Sequence, residues 1–493
     1  MLRTKPVHQS IADTEHPEHR LKKDLGALDL TVFGVGVTIG AGIFILTGRA
    51  AATNAGPAVS VSFLIAAVTC GLAALCYAEL ASSIPVAGSA YTFTYASVGE
   101  VVAWVIGWDL VLEFTVGAAA VAAGWSAYLA DFLEGTPLEL PASIASVETG
   151  VVNLPAGLLV LVLTGVLIVG IKLSSRVNQV VVAIKVGIVL FVIVAGAFYV
   201  KAVNYTPFVP PQEPAAGSDE GFLHTPLIQS IFGLEPAVYG WAGVVTAAAI
   251  VFFAFIGFDV VATTAEEVRR PQRDLPLGIM GALVVCTLLY AGVALVITGM
   301  QSYTEIDPED AAPLSTAFTA VGQDAYADII ALGAIVGLVV VVMILLLGQT
   351  RVLFAMARDG LLPQGLARVH PRYRTPYVIT TLVGVAVAVI ATFTGIGALA
   401  ELVNVGTLFA FILVSIAVIV LRRTDPDLPR SFRVPLVPLV PVLSVLACLY
   451  LMLNLTGLTW MRFLVWMLVG VLVYAFYGSR HSRLATGEPV RTG

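Results

Sequence analysis

Lys185, Glu113, Asp109, Asp259 and Arg351 are ionisable residues set inside stretches that are otherwise apolar. On insertion scales such a residue at the centre of a membrane-length segment costs at least about 2.5 kcal/mol, so each needs a reason. Lys185 lies in Val180–Leu190, about 10 Å in from the end of its segment by helical rise. That is deep for a lysine to reach the interface along its stem. The alternative is a buried amine beside opened backbone carbonyls, able to stand where a sodium ion would and to carry a proton instead. Asp109 and Glu113 are four apart and share a helix face. Glu113 falls near mid-depth, where it could line a cavity, hold a gating contact or bond neighbouring helices. Asp259 is placed to cap a helix break, and Arg351 to pair with a carboxylate or with backbone carbonyls.

The second source of chemistry is backbone. Gly34, Gly36, Gly40, Gly42 and Gly48 crowd the apolar segment from Leu28 to Ala51. Glycine costs a helix about 1 kcal/mol relative to alanine. Close packing through small residues is one account; a discontinuous helix whose opened backbone binds a solute is the other. Gly34 and Gly36 read as packing residues, and the break falls on Thr38 to Ile43. Amides after Gly40, at the positive end of the following half-helix, suit a carboxylate. A second apolar segment holds Phe252-Phe-Ala-Phe-Ile-Gly-Phe-Asp259. Free carbonyls there would suit an ammonium group. Together the two breaks would make a receptor for an α-amino acid. The Gly34 run is not a nucleotide fingerprint, because no strand precedes it.

The elements that position these groups follow from composition. The chain has 493 residues, 58% apolar and 12% charged, against about 25% charged in soluble domains. It is an all-α polytopic membrane protein whose surroundings are a lipid bilayer. Scattered basic residues argue against nucleic acid. Cys70, Cys76, Cys286 and Cys448 all fall in apolar segments without metal-ligand spacing. The polar Met1–Gly26 stretch lacks the short apolar core of a cleaved signal.

A span needs about 20 apolar residues. Twelve are expected: 28–51, 57–79, 98–130, 155–173, 178–200, 241–264, 277–300, 326–357, 376–394, 398–421, 436–455 and 460–478. With the N-terminus in the cytoplasm, twenty-one of the 26 Lys and Arg residues fall inside. Only Arg49, Lys201 and Arg462 fall outside, and Lys185 and Arg351 lie within spans. That asymmetry supports an even number of spans with both termini cytoplasmic.

Spans one and six start from opposite sides, and the two longest, three and eight, correspond under the same five-span shift. An inverted five-plus-five repeat explains both. By helical rise, Thr38–Ile43 lies roughly 15–22 Å into span one and Ala254–Gly257 roughly 20–24 Å into span six. Both meet near the middle of a core about 30 Å thick. The expected organisation is an N-terminal tail (1–27), a first five-helix repeat (28–200), a second (241–421), two further helices (436–478) and a tail (479–493).

Gly40-Ala-Gly-Ile-Phe44 resembles the first-helix motif of the amino acid–polyamine–organocation superfamily. Phe252–Asp259, with Ala262-Thr-Thr-Ala-Glu-Glu-Val-Arg-Arg-Pro-Gln-Arg-Asp-Leu-Pro276, is similar to its cationic amino acid transporter branch. So are Pro85-Val-Ala-Gly-Ser-Ala-Tyr91, Gly348-Gln-Thr-Arg351 and Ala357-Arg-Asp-Gly-Leu-Leu-Pro363. The resemblance implies a leucine-transporter-type fold with helices 1 and 6 broken, working by alternating access. It implies a substrate site of Thr38, Ile39, Gly40, Ala41, Gly42 and Ile43, with Phe253, Ala254, Phe255, Ile256 and Gly257 opposite. Lys185 matches the fifth-helix lysine that proton-coupled members use in place of sodium. Glu113 matches a third-helix glutamate near the substrate. The departure is Ala41, where many relatives carry threonine or serine; the hydroxyl near the substrate carboxylate is gone.

The expectation is a proton-coupled importer of L-amino acids at the cytoplasmic membrane, with the proton as coupling ion and no other cofactor. An amino acid exchanger, a polyamine carrier and a non-translocating amino acid receptor are the alternatives. No zinc-ligand spacing, nucleophile elbow or phosphate loop points to an enzyme.

Overall fold

The computed structural model describes residues 24–84, 89–147, 150–170, 175–214, 222–233 and 237–482. Most of the N-terminal tail, Pro85–Gly88 of the Pro85–Tyr91 motif, Lys172, Asp219, Glu220 and the tail from 483 lie outside these residues.

The chain is mostly helical. In order the main helices are α1 (Ala27–Thr38), α2 (Ala41–Ala50), α3 (Val59–Ser83), α4 (Ser89–Ser97), α5 (Glu100–Leu133), α6 (Leu154–Val169), α7 (Ser175–Gly196) and α8 (Gly240–Val251). Then come α9 (Pro271–Met300), α10 (Pro313–Thr319), α11 (Asp324–Arg358), α12 (Tyr377–Phe393), α13 (Ile396–Thr424), α14 (Leu439–Leu453) and α15 (Gly457–Val473). Eight helical stretches are long and apolar enough to cross a membrane, with Ala41–Ser83 as one of them. Ala27–Thr38, Leu154–Val169, Tyr377–Phe393 and Leu439–Leu453 are shorter apolar helices. The expectation of twelve spans is therefore finer than helix length alone supports. The first span is cut at Ile39–Gly40 into helices of 12 and 10 residues. The shorter apolar helices otherwise run to 16, 17 and 15 residues, under the length of a full crossing.

Two packing groups surround the breaks. The first contains α1, α3, α8 and α9, with α9 lying along both α1 and α3. The second contains α5, α6, α11 and α12, with α5 against α11 as its widest contact. Helix α7 touches α1, α9 and α11, while α13 touches α3 and α5, so each bridges the groups. Small residues permit the close approaches. Gly34 faces Ala282 and Val261, and Gly36 faces Val182, so these two are packing glycines.

Backbone groups in lipid must find partners within the protein. Polar side chains meet this need at helix junctions. Glu79, 1% exposed, takes Arg422 in a two-pronged pair at 2.9 and 2.7 Å and the Val434 amide at 2.6 Å. This ties α3 to α13 and to the segment after it. Trp108 and Trp466 donate their indole N–H to each other's carbonyls at 2.9 and 3.1 Å, rings stacked at 4.7 Å. Trp104 adds a bond to the Gly470 carbonyl at 2.9 Å, fixing α15 on α5. Helices α6, α12, α14 and α15 turn apolar side chains outward, among them Leu158, Leu382, Leu446 and Leu468. This is the surface a bilayer would cover.

The stretch after α7 folds back over the helix ends as an appendage of the helical body. Asn204 bonds the Gly299 carbonyl, and Tyr239 bonds that of Ala52. Glu213–Pro214 pairs with Ala237–Val238 in a two-strand ribbon.

Candidate functional site

The first break is two residues wide. Helix α1 ends at Thr38, Ile39 and Gly40 are extended, and α2 begins at Ala41. Gly40 caps α2 with no side-chain hydrogen bond. The first amides of α2 therefore have no side chain of their own segment to satisfy them.

The second break was expected at Phe252–Asp259 within the span 241–264. The α-helix stops at Val251 and tightens into a 3-10 turn, Phe252–Phe255. Ile256 is extended, Gly257 has φ 114°, and a second 3-10 stretch runs Phe258–Glu267. Gly257 is required here, because a side chain is strained at that φ. Asp259, buried, lies in the first turn of this second 3-10 stretch, and its Oδ1 has no hydrogen-bond partner among the described residues.

The two breaks touch. A Cβ on Gly42 would fall on the backbone of Ala254, so only glycine lets α2 and the 3-10 turn approach this closely. Beside them lies a small cavity of about 30 Å³, room for a water or two. Thr38, Gly40, Ala41, Gly42, Glu113, Phe253, Ile256 and Gly257 line it. Val121 of α5, Val341 and Leu345 of α11 and Val403 of α13 close its apolar side. Ile39, Ile43, Ala254 and Phe255 are not on the cavity wall. Ile39 and Ile43 are fully buried. Ala254 backs Gly42, and the Phe255 ring packs on Phe63 and Tyr290. A broken segment still shows only part of its circumference to a cavity.

The carbonyls freed at the end of α1 are occupied. Lys185 of α7, 1% exposed, donates its Nζ to the carbonyls of Gly36 and of Ile39, the latter at 2.9 Å. Gly337 of α11 makes room for its stem, since a Cβ there would lie 2.6 Å from Lys185 Cγ. Tyr290 of α9 donates its hydroxyl to the Thr38 carbonyl at 2.8 Å. At the other break, Asn404 of α13 donates its amide to the last carbonyls of α8, Ala249 at 2.8 Å and Ile250 at 3.0 Å. Tyr290 and Asn404 escaped the sequence reading. Both are uncharged, both lie far along the chain from the carbonyls they hold, and neither carries the insertion cost that made Lys185 stand out.

Several buried polar atoms around the cavity have no hydrogen-bond partner among the described residues: Thr38 Oγ1, Glu113 Oε1 and both Asp109 oxygens. The Glu113 carboxyl meets the Thr407 hydroxyl of α13. Asp109, one turn earlier, faces Gly406 and is not on the cavity wall. Tyr128 of α5 ties that helix to α2 by donating to the Phe44 carbonyl at 2.6 Å, its ring edge-on to Phe44 at 5.9 Å. Gln349 of the Gly348–Arg351 motif donates to Thr115, joining α11 to α5. Tyr91 donates to Asp359 at 2.8 Å, which brings two of the family-like motifs together. The expected pairing of Arg351 is absent: it is exposed in an outer cleft, and no carboxylate or carbonyl among the described residues is bonded to it.

Two broken helices that touch beside a buried, partly polar cavity, in a bundle with helices long and apolar enough to cross a membrane, have the form of a solute permease. The family model for amino acid permeases matches residues 25–481, and the chain belongs to that family. It is 45% identical over 488 residues to a methylthioribose transporter of Bacillus subtilis (strain 168), covering 98% of this chain and 99% of that protein. It is also 45% identical over 490 residues to the branched-chain amino acid permease BcaP of the same organism, with the same coverage. The vacuolar cationic amino acid transporter 4 of Arabidopsis thaliana is 42% identical over 413 residues, 83% of this chain and 65% of that one. These relatives are transporters and permeases; the chain is a transporter and not an enzyme.

Proposed function

We propose that the chain is a proton-coupled importer of L-amino acids that works by alternating access. The observation that carries this is the pairing, at one break, of an uncapped helix start at Gly40 on the cavity wall with carbonyl ends held by Lys185. The α2 amides suit a carboxylate, and the carbonyls near the second break suit an ammonium. The proposal includes twelve spans in two inverted five-helix repeats, 28–200 and 241–421, with both termini cytoplasmic. Helices α1–α2 and α8 with its 3-10 continuation are then equivalents, as are α7 and α13. In that frame Lys185 and Asn404 hold corresponding carbonyl ends, one with a charge and one without. A single ionisable amine between two equivalent positions supports one proton per cycle.

Val121, Val341, Leu345 and Val403 on the cavity wall support a substrate with a branched apolar side chain, as the name of the BcaP relative also suggests. Glu113, with Oε1 unpartnered on the same wall, favours a second reading in which the side chain is cationic. A cavity of about 30 Å³ is too small for either, so loading requires the two packing groups to part.

The test is uptake of labelled leucine into proteoliposomes under an imposed pH gradient, with competition by arginine, putrescine and methylthioribose. Uptake should rise with the inward proton gradient in the wild type and lose that response in Lys185→Ala. Transport indifferent to pH in both proteins removes the coupling assignment. Binding without flux across the sealed membrane makes the chain a receptor.

A further inference from the structure

We propose that the cleft between the C-terminal end of α6, the C-terminal third of α11 and the start of α12 binds an anionic phospholipid. Its volume, about 250 Å³, exceeds that of the cavity at the breaks, and it opens on the outside of the bundle. Leu167, Leu347, Phe354 and Val369 form an apolar floor, and Arg351 and Arg374 stand on its rim. Both arginines are exposed, and neither has a carboxylate partner among the described residues. Between 351 and 376 there are five arginines and a single acid, Asp359. That acid also accepts the Tyr91 hydroxyl. The stretch is therefore net basic.

The loop that presents Arg374 is built rather than slack. Arg374 has φ 54°, a left-handed conformation that residues with a side chain avoid. It is held there by Arg374 N–H to the His370 carbonyl at 2.9 Å and His370 N–H to the Thr375 carbonyl at 2.8 Å. The Arg372 and Tyr373 amides both donate to His370 Nδ1 at 3.2 Å. The Thr375 hydroxyl pins the loop to the Ile168 carbonyl of α6 at 2.6 Å. An arginine kept in a strained conformation by this many bonds, beside an unpaired second arginine, points to a ligand.

The chemistry of the walls selects its class. Two guanidinium groups suit a phosphodiester. The apolar floor continues into the outward face of α12, where Leu382, Val385 and Val389 are exposed, and this suits acyl chains. An inorganic anion would use the arginines and leave the floor uncovered. Basic pockets at the ends of membrane helices commonly hold acidic headgroups. This proposal rests on membrane embedding alone and not on the transport reading.

The test uses full-length protein in detergent, titrated separately with phosphatidylglycerol and phosphatidylcholine and read by native mass spectrometry. Phosphatidylglycerol should be retained preferentially. The double variant Arg351→Gln/Arg374→Gly should bind it about ten- to thirtyfold more weakly, with phosphatidylcholine unchanged. Glycine suits the backbone of position 374, so the variant should melt no earlier than the wild type in detergent. Should it melt early, Arg351→Gln alone, a change at an exposed side chain, decides. Equal retention of the two lipids, or full retention of phosphatidylglycerol by the variant that keeps its fold, overturns the proposal. So does displacement of phosphatidylglycerol by inorganic phosphate at equal concentration, which would make the cleft a simple anion site.

Discussion

Replacing Asn404 by leucine keeps the side-chain volume nearly constant and removes the two N–H donors that hold the end of α8. The carbonyls of Ala249 and Ile250, now bonded at 2.8 and 3.0 Å, would be left buried without that partner. A buried acceptor deprived of its donor costs about 1–3 kcal/mol. The same substitution removes Asn404 Oδ1, itself buried and unpartnered, and so recovers a desolvation cost of similar size. Two losses against one gain leave roughly 1–3 kcal/mol against the wild-type arrangement. That penalty falls on the last turn of α8, directly before the 3-10 turn that touches Gly42. If this geometry is needed for binding, affinity should fall about 5- to 150-fold. Equilibrium binding of labelled leucine to purified protein gives the affinity, and a melting curve of the same sample gives the stability. Asn404→Asp, which sets carboxylate oxygens against the carbonyls, should be worse than leucine. Wild-type affinity in Asn404→Leu refutes the reasoning. A lowered melting temperature with unchanged affinity reduces Asn404 to a fold-stabilising residue.

Three further outcomes are expected. Gly42→Ala places a methyl on the backbone of Ala254 and should lower labelled uptake at least about tenfold, since backbone there cannot rotate away; uptake within twofold would show the breaks to be looser than they stand. Tyr290→Phe loses one buried bond to Thr38, about 1 kcal/mol, and should reduce uptake without moving its pH profile; a shifted profile would give Tyr290 a part in proton handling. Asp310 lies in the segment before α10, where burial raises its carboxyl above the ordinary aspartate range, opposed by the Thr316 hydroxyl and the Ala312 amide. The folded state thus favours the protonated form. That contribution is full below the ordinary aspartate value and is lost as pH rises through the raised one. Compared with Asp310→Asn, the wild type should lose melting temperature as pH rises through that window; parallel curves would contradict it.

The sequence made the breaks legible because each has a chemical reason visible in one dimension. Glycines at 40 and 42 stand where a helix would rather have alanine, and Gly257 interrupts an aromatic run. Lys185 was visible for the same reason: its charge has a cost in an apolar segment, and the structure places its amine on two carbonyls at the first break. What remained hidden depended on three-dimensional register. The break within 241–264 was legible at Phe252–Asp259, but not its 3-10 form on both sides of Gly257, because a 3-10 turn and an α-turn bury the same apolar residues. Ile39, Ile43, Ala254 and Phe255 sit in the right segments but point away from the cavity. Asn404 and Tyr290 gain their meaning only from carbonyls 154 and 252 residues distant. Arg351 looked like half of an ion pair, and its exposure became plain only when the end of α11 was seen to border an open cleft.

The interlocked indoles of α5 and α15 have an optical meaning. Trp104, Trp108 and Trp125 belong to α5, and Trp460 and Trp466 to α15; Trp241, at the start of α8, is the remaining one of the six. Five emitters therefore ride with one half of the bundle and a single emitter rides with the other. Trp241 is 66% exposed, whereas Trp104 and Trp108 are stacked at 5.6 Å. Removing Trp241 would silence the α8 side and leave the native spectrum of α5 and α15 as its own reference. The chain carries an internal two-channel fluorophore, and movement between its halves can be followed without attaching a dye.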